Sequence, residues 1–399
     1  MQILIHKLLR RKAAERVGNL ASPQKGADMA GEERALHKNQ HYVPRTHLRP
    51  FSHRSEGKTI DLFAETQGRV ITGASTSGQC SKSYFYGEDG VLEKSLQELE
   101  GHYASTVRKI LAYTGGQSPE LRGWMRMFWC AQWVRTESAA QNAKAMLTGA
   151  ADLISHPPLA EGPAHGRWVL VSMGAMKDAY EFTDDLAAAL LINKTNTPFL
   201  TSDNPAVTTN KLHTFDARVS GPGSGHGLNS AGATLFLPLS PWHAICYYDP
   251  DVYRMPGNAD VVQIKNAEDV HALNELQVLY CHRNAYFSQD FPHEWVRREF
   301  ETTKAERAKP LWEISFAVAE GASDGRERYR VLPKGAPVER RNGLIITEQV
   351  HRKPSRWPSF LMWKPRGYAF DTRTGAGVVR RSYFANRPTA QAIVIRTGK

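Results

Sequence analysis

Two short polar strings contain the residue types that acid–base and binding chemistry use. The first is Asn39-Gln-His-Tyr-Val-Pro-Arg45, and the second is Thr201-Ser-Asp-Asn-Pro205. Both place hydrogen-bonding side chains around a proline, a composition that is common in functional loops and rare in core segments. The first candidate site residues of the chain therefore come from these two strings.

His41 is the candidate general base of the first string. A neutral imidazole offers a lone pair near pH 7, so His41 could take a proton or ligate a metal ion. Its neighbours Gln40 and Arg45 are candidates for contacts to a substrate. The alternative is a histidine that only hydrogen-bonds a neighbouring loop, because Pro44 biases Val43 toward an extended conformation.

The second string follows the apolar pair Phe199-Leu200 and so is predicted to lie at the end of a strand. Asp203 could bind a divalent metal ion or orient His41, Asn204 could donate to an anionic oxygen, and Ser202 could contact a substrate. No Gly-x-Ser-x-Gly elbow surrounds Ser202, which argues against a nucleophilic serine. Asx residues before proline also make ordinary turns, so both interpretations remain open.

A second predicted metal ligand lies on a helix. The apolar period of residues 88–114 predicts this helix, and Glu93 and Glu100 lie seven positions apart, on nearly one face. Two carboxylates on one face can share a metal ion, and Glu100 is therefore predicted to join Asp203. The alternative is a solvated helix face.

Tyr84 and Tyr86 alternate along the segment before this helix. In an extended chain both side chains would point to one side. They could stack on a base or a sugar of a substrate, or they could belong to the core.

The chain of 399 residues has a net charge of +11, and that excess lies in its last quarter. Residues 300–399 contain 20 Lys/Arg and 9 Asp/Glu, whereas residues 1–299 contain 31 of each. Aromatic residues are interleaved with these cations, as single-stranded nucleic acid would require. We expect residues 310–399 to contact nucleic acid; a well-solvated basic surface is the alternative.

The predicted elements alternate irregularly, which favours an α+β fold with a mixed or antiparallel sheet and long helices. A basic arm at 1–38 precedes a main domain at 39–300, and a basic region rich in Pro, Gly and Arg at 301–399 forms an appendage. The segment after Ser118-Pro-Glu120 is predicted as one helix to about Ile154, and Arg167-Trp-Val-Leu-Val-Ser172 as a strand. Between Thr183 and Ile192 helix and strand both remain open. A strand hairpin that turns at Gly68 and a strand pair joined by Leu239-Ser-Pro241 are also predicted.

Other features limit the class of protein. No apolar run approaches the roughly 20 residues of a membrane span, and the N-terminus lacks the order of a signal peptide. Four widely spaced cysteines without a Cys-x-x-Cys pair predict buried thiols rather than a disulfide framework. No Walker A or Rossmann glycine string is present. We therefore expect a cytoplasmic protein outside the standard nucleotide-binding folds.

Four strings occur in an order that resembles the uncharacterised family DUF4238. They are the Asn39–Ser52 string with His-Tyr-Val-Pro, Tyr84-Phe-Tyr-Gly87, Thr201–Pro205 and Pro238-Leu-Ser-Pro241. The resemblance covers residues from about 39 to 290 and implies no activity.

Two hypotheses follow. In the first, the chain is a metal-assisted hydrolase, such as a phosphodiesterase or nuclease, in which His41 and Asp203 line one water-accessible cleft and Glu100 joins them at a divalent metal ion. In the second, the strings only hold loops in place, and the chain is a non-catalytic nucleic-acid- or protein-binding protein.

Overall fold

The computed structural model describes residues 38–398, apart from 89, 118, 154–163, 220–226, 259, 324–325, 334–335, 337–342 and 386. The predicted basic arm at 1–38 therefore lies outside the described residues, except for Lys38. Helices and strands follow one another irregularly, and the sheets are mixed or antiparallel. The predicted α+β class is confirmed. The part of the chain that the structure describes has no helix that is long and apolar enough to cross a membrane.

The α-helices of the described residues are α1 (Arg45–Leu48), α2 (Val91–Leu111), α3 (Gly123–Val134), α4 (Glu137–Leu153), α5 (Ala164–Met173), α6 (Met176–Phe182), α7 (Lys211–Phe215), α8 (Ala267–Tyr280), α9 (His293–Thr302) and α10 (Lys304–Arg307). The strands are β1 (Asn39–His41), β2 (Thr59–Ala64), β3 (Arg69–Ser75), β4 (Ser81–Ser83), β5 (Ala187–Asn193), β6 (Thr201–Ser202), β7 (Val207–Asn210), β8 (Ala233–Ser240), β9 (His243–Tyr248), β10 (Tyr253–Arg254), β11 (Val261–Ile264), β12 (Asn284–Phe287), β13 (Trp312–Ser323), β14 (Arg326–Val331), β15 (Gly343–Gln349), β16 (Met362–Trp363), β17 (Tyr368–Asp371), β18 (Val378–Val379) and β19 (Ile393–Arg396).

A five-stranded sheet forms the centre of the core. Its order is β11-β5-β9-β8-β7, in which only the β11–β5 pair is parallel. Every residue of β8 is buried, as expected of a central strand that is covered on both faces. The segment from Thr183 to Ile192, which the sequence left open, contains strand β5.

A second sheet, of order β3-β2-β12-β6, carries the second polar string. Its β2–β3 hairpin confirms the turn predicted at Gly68, whose φ of +62° is a left-handed conformation that glycine adopts at little cost. At the other edge, β6 pairs with β12, where Ser202 lies opposite Ala285. The string therefore leaves the sheet beside the loop that joins α8 to β12.

Two local predictions were wrong. The helix predicted after residue 118 is interrupted, because Arg135 and Thr136 separate α3 from α4. The strand predicted at 167–172 is part of helix α5, in which Trp168, Val169 and Met173 are buried. A short apolar run does not distinguish a buried strand from a helix, and tertiary packing decided this one.

The C-terminal region begins with the three-stranded sheet β14-β13-β15 and then returns to the main domain. Strand β16 pairs with β10, and Val379 forms a bridge to Ser230. Phe360, Leu361 and Val378 share the hydrophobic core of the main domain. The boundary predicted near residue 300 stays a prediction, and the residues after 350 pack closely against the domain before it.

Candidate functional site

The contacts of both polar strings meet at the junction between α3 and α4. Arg135, Thr136, Glu137 and Ser138 form this junction, and all four are buried. Buried polar side chains need hydrogen-bond partners, because an unpaired one costs free energy. The partners of these side chains therefore define the site.

Arg135 connects the junction to helix α2. Its Nη1 lies 2.9 Å from Glu100 Oε1, and its Nε donates to Gln132 Oε1 at 3.0 Å. Gln132 in turn donates to the carbonyl oxygen of Tyr42 in the first string at 2.9 Å. Glu100, the predicted metal ligand, is thus an ion-pair partner of a fully buried arginine.

Thr136 connects the junction to the second string. Its hydroxyl donates to Asn204 Oδ1 at 3.0 Å, and Asn204 Nδ2 donates to the carbonyl of Tyr280 at 3.0 Å. Ser202 donates to Gln277 Oε1 at 2.9 Å. Ser202 and Asn204 thus tie β6 to α8 and to the loop that follows it.

Asp203 organises that loop. Its carboxylate accepts the main-chain N–H groups of His282, Arg283 and Asn284 at 2.7, 2.8 and 3.1 Å. The side chain is 2% exposed, which differs from the water-accessible position expected for it. Burial raises the pKa of Asp203 to about 6, although the three N–H groups act in the opposite direction.

Three basic side chains surround the carboxylate of Glu137 at the junction. Its Oε1 lies 2.6 Å from Lys82 Nζ, 3.2 Å from Arg283 Nη2 and 3.9 Å from His282 Nε2. Burial by itself would raise the pKa of Glu137, but the hydrogen bond and charge of Lys82 and the charges of Arg283 and His282 hold it below its usual value. Glu137 is therefore ionised at neutral pH.

His41 lies at the end of β1, opposite Ser81 of β4, and is half-buried. Its Nε2 has no hydrogen-bond partner among the residues that the structure describes. Burial, and then the charge of Arg45, lower the pKa of His41. A neutral ring suits a general base, although no contact joins it to Asp203.

The neighbours of His41 have different environments. Gln40 is buried, and its side chain bonds Glu93 Oε2, the carbonyl of Gly87 and the N–H of Tyr86. Arg45 is exposed. Gln40 is thus committed to holding the start of α2, whereas Arg45 can still reach a ligand.

The two tyrosines do not lie side by side on an extended segment, because residues 84–86 form a turn. Tyr84 has a φ of +50° and is 38% exposed. Tyr86 is buried, and its hydroxyl donates to the carbonyl of His41 at 3.1 Å. Only Tyr84 therefore presents a ring to solvent.

A different histidine joins the two strings directly. His47 Nε2 lies 2.9 Å from the hydroxyl of Thr201, and its Nδ1 lies 2.8 Å from Tyr103. Burial, and then the charge of Arg135, lower the pKa of His47 to about 3. His47 is therefore a neutral, doubly hydrogen-bonded core histidine.

A solvent-accessible cavity of about 280 Å³ lies beside the Asp203-bound loop. Part of its lining, the polar wall, consists of Ser138, Gln141 and Asn142 of α4 together with Tyr280 at the end of α8 and the loop residues Cys281 and His282. Another part, the cationic wall, contains Arg307, Lys309 and Arg352, and the carboxylate of Glu65 also lines the cavity. His282 lines this cavity from a loop that Asp203 fixes.

Metal ligands are sparse in this arrangement. Among residues 38–398, outside the gaps given above, no three His, Cys, Asp or Glu side chains gather where they could hold a metal ion. The four cysteines are buried, and burial raises the pKa of Cys281 beside the cavity to about 12. The thiol of Cys281 is therefore protonated at neutral pH in this environment.

The sequence did not reveal the junction or His282. Arg135 to Ser138 is a run of four polar residues inside an otherwise apolar helical pattern, and that interruption was the available signal. His282 is a lone histidine after a helix, and its importance appears only when Glu137 and Asp203 lie beside it.

The chain belongs to a family described as "Protein of unknown function (DUF4238)", which it matches over residues 39–155 and 169–291. This match confirms the resemblance seen in the four strings. The matched region contains both polar strings, the junction and His282, and it ends before Arg307, Lys309 and Arg352. No curated protein and no solved structure matches the chain.

Proposed function

We propose that the chain is a hydrolase that cleaves phosphate esters in the cavity, with His282 as the general base. One observation carries the proposal. His282 lines the cavity, and its Nε2, which is shielded from solvent, lies 3.9 Å from the buried carboxylate of Glu137. Because Nε2 faces this carboxylate, Nδ1 is the nitrogen that takes the proton from water. An imidazole beside a fixed carboxylate is a common arrangement for general base catalysis.

The protonation state of His282 supports this role. Burial lowers its pKa, Glu137 acts in the opposite direction, and the charges of Arg283 and Lys82 lower it again. The net lowering keeps the ring neutral at pH 7, so that it can accept a proton. Glu137 stabilises the imidazolium that forms, because the carboxylate remains ionised beside it.

The reaction consumes one water molecule and involves no redox change. His282 removes a proton as the water oxygen bonds to phosphorus, and the P–O bond to the leaving alcohol breaks. The leaving oxygen takes a proton from solvent in the cavity, and the imidazolium later releases its proton to solvent. Asp203 is a positioning residue in this scheme, because its three hydrogen bonds fix the loop that carries His282.

The metal-assisted form predicted from the sequence assigns other roles. There His41 is the base, Asn204 donates to an anionic oxygen, and Asp203 and Glu100 are metal ligands. A metal ion would compete with partners already present, which are three N–H groups for Asp203 and Arg135 for Glu100. Leaving those buried donors unpaired costs several kcal/mol in total, roughly 1–3 for each group. We therefore favour His282 over a metal site at these residues.

The basic C-terminal region supports a phosphodiester substrate such as nucleic acid. Lys353, Arg366, Arg373 and Arg387 are exposed on it. Other cations of the region hold the fold instead: Arg356 pairs with Glu275 and Glu299, and Arg381 pairs with Asp251. The four exposed cations are available to steer a polyanion toward the cavity.

The experiment compares His282→Gln with His271→Gln in hydrolysis of bis(p-nitrophenyl) phosphate and of single-stranded DNA and RNA. His271 is a matched control, because it is 21% exposed against 22% for His282. We expect a loss of about 10²- to 10⁴-fold in kcat for His282→Gln only. The circular dichroism spectrum and melting temperature check that both variants fold.

Parallel reactions with EDTA and with added Mg²⁺ or Mn²⁺ test the metal-assisted form. Full activity of His282→Gln would reject His282 as the base. Absence of hydrolysis by the wild-type protein, together with binding of the oligonucleotides, would favour the non-catalytic alternative.

A further inference from the structure

The geometry points to a recognition site for a phosphate group at the cationic wall of the cavity, built by Arg307, Lys309 and Arg352. This inference rests on the proposed function and names the group that the cavity recognises. The three residues follow the region that matches the family, which ends at residue 291. The polar wall with His282 thus comes from the matched region, and the anion-recognising wall comes from the segment after it.

The charges of this wall are incompletely balanced. Arg307 is paired, since its guanidinium contacts both carboxylate oxygens of Glu65, at 3.2 and 2.5 Å. Among the described residues, the guanidinium of Arg352 donates to carbonyl oxygens, those of Leu279, Arg307 and Lys309. No carboxylate lies within ion-pair distance of Arg352 in the described part of the chain, and its buried Nε has no partner there. A half-buried cation without a counter-ion carries a desolvation cost, and an anion in the cavity would supply one.

Lys309 adds a partly exposed charge to the same wall. Its side chain is 46% exposed, and its ammonium pairs with Glu306. An exposed ion pair of this kind contributes little to stability, so Lys309 can turn toward a ligand at small cost. Arginine and lysine together suit phosphate, because the guanidinium offers directed N–H donors and the ammonium a compact charge.

The size of the cavity limits the ligand. A volume of about 280 Å³ lies at the lower end of the range for small-molecule sites. It suits one nucleotide or a similarly small phosphate ester, and it is too small for a duplex. Both a free nucleotide-sized ester and the phosphorylated end of a single strand fit this description.

The test measures binding by isothermal titration calorimetry with inorganic pyrophosphate. A second titrant pair is an oligonucleotide with a 5′-phosphate and the same strand with a 5′-hydroxyl. All titrations use the full chain carrying His282→Gln, so that binding is read without turnover. Lys309→Gln removes one cation of the wall, and Lys304→Gln, exposed on the adjoining helix α10, is the matched control. Arg352→Met tests the uncompensated guanidinium, with its melting temperature as a folding check.

We expect pyrophosphate to bind Lys309→Gln about fivefold more weakly than it binds the parent protein. We expect it to bind Lys304→Gln with the same affinity as the parent protein. Tighter binding of the 5′-phosphate strand would support a strand end as the ligand, and equal binding of the two strands would support a small ester. No binding of pyrophosphate, or unchanged binding by Lys309→Gln and folded Arg352→Met, would overturn the inference. Binding of pyrophosphate without any hydrolysis would overturn the proposed function and leave this inference standing. Hydrolysis that neither Lys309→Gln nor Arg352→Met affects would overturn this inference and leave the proposed function standing.

Discussion

The carboxylate of Asp203 accepts the main-chain N–H of His282 at 2.7 Å across 79 positions of sequence. The second polar string thus fixes the histidine that lines the cavity, and it does so through the backbone. Because the same carboxylate also binds Arg283 and Asn284, one side chain determines the conformation of the whole loop between α8 and β12.

Replacement of Asp203 tests this role. The carboxylate accepts three main-chain N–H groups, whereas burial raises its pKa to about 6. Asp203→Asn keeps the shape but turns an N–H₂ group toward N–H donors, and we expect a loss of about 2–3 kcal/mol in the free energy of unfolding. Urea denaturation at pH 7 measures it. Asp152→Asn, at an exposed position of α4, should stay within about 0.5 kcal/mol of the wild type. Equal stability of the two variants would contradict the role.

The buried ring of His47 leads us to expect that the free energy of unfolding decreases in acid. Its pKa is lowered from 6.5 to about 3 in the folded protein, so the unfolded chain binds a proton in this window and the folded chain does not. Stability from this group is complete above pH 6.5 and is lost as the pH falls toward 3, by about 1.4 kcal/mol for each pH unit. In His47→Gln the free energy of unfolding should fall less steeply between pH 6.5 and 4. Parallel curves for wild type and variant would show that His47 does not carry the effect.

The contacts of Arg380 lead us to expect that this side chain holds the C-terminal region on the main domain. It is buried, pairs with Asp185 and donates to the carbonyls of Phe182, Leu228 and Ser230. Arg380→Met leaves these acceptors unpaired, and we expect a loss of about 3 kcal/mol in the free energy of unfolding and faster tryptic cleavage of the C-terminal region. Arg373→Met, at an exposed position, is the control. Wild-type stability of Arg380→Met would mean that other contacts attach the region.

The exposed cations of the C-terminal region predict a salt-dependent affinity for single-stranded nucleic acid. Changing Lys353, Arg366, Arg373 and Arg387 to Gln removes four charges. Each contact to a phosphate of a single strand contributes roughly 0.7 to the magnitude of the slope of log association constant against log salt concentration. If all four side chains contact phosphates, the magnitude of this slope should therefore decrease by about 3 in the variant. Fluorescence anisotropy at several NaCl concentrations gives the slope.

A control for the salt experiment changes four exposed cations of the main domain, Arg108, Lys109, Lys144 and Lys265, to Gln. The net charge falls by the same amount, so any difference between the two variants reports the location of the contacts. The same slope for both would indicate binding through net charge alone.

Local patterns predicted the elements that depend on neighbours in sequence. The period of apolar residues predicted α2, whose Leu96, Leu99, Tyr103 and Val107 are buried, and Gly68 predicted the β2–β3 turn. The strand pair around Pro238-Leu-Ser-Pro241 was also predicted, because its runs are apolar and its turn residues are distinctive.

The site depended on partners far away in sequence. No local pattern shows that Asp203 will bind the N–H groups of residues 282–284, or that Thr136 will meet Asn204. The break between α3 and α4 was missed because Trp133 and Ala140 continue an apolar helical pattern across it. Both polar strings were recognised as distinctive, and what they contact required the fold.

The late position of Arg352 in the chain has a consequence for synthesis. The residues of the polar wall, which lie within residues 39–291, are synthesised before Arg307, Lys309 and Arg352, which follow in that order. A nascent polypeptide therefore contains His282 before the cationic part of its cavity has been made. A truncated product that stops before position 352 carries the histidine without the complete lining of the cavity.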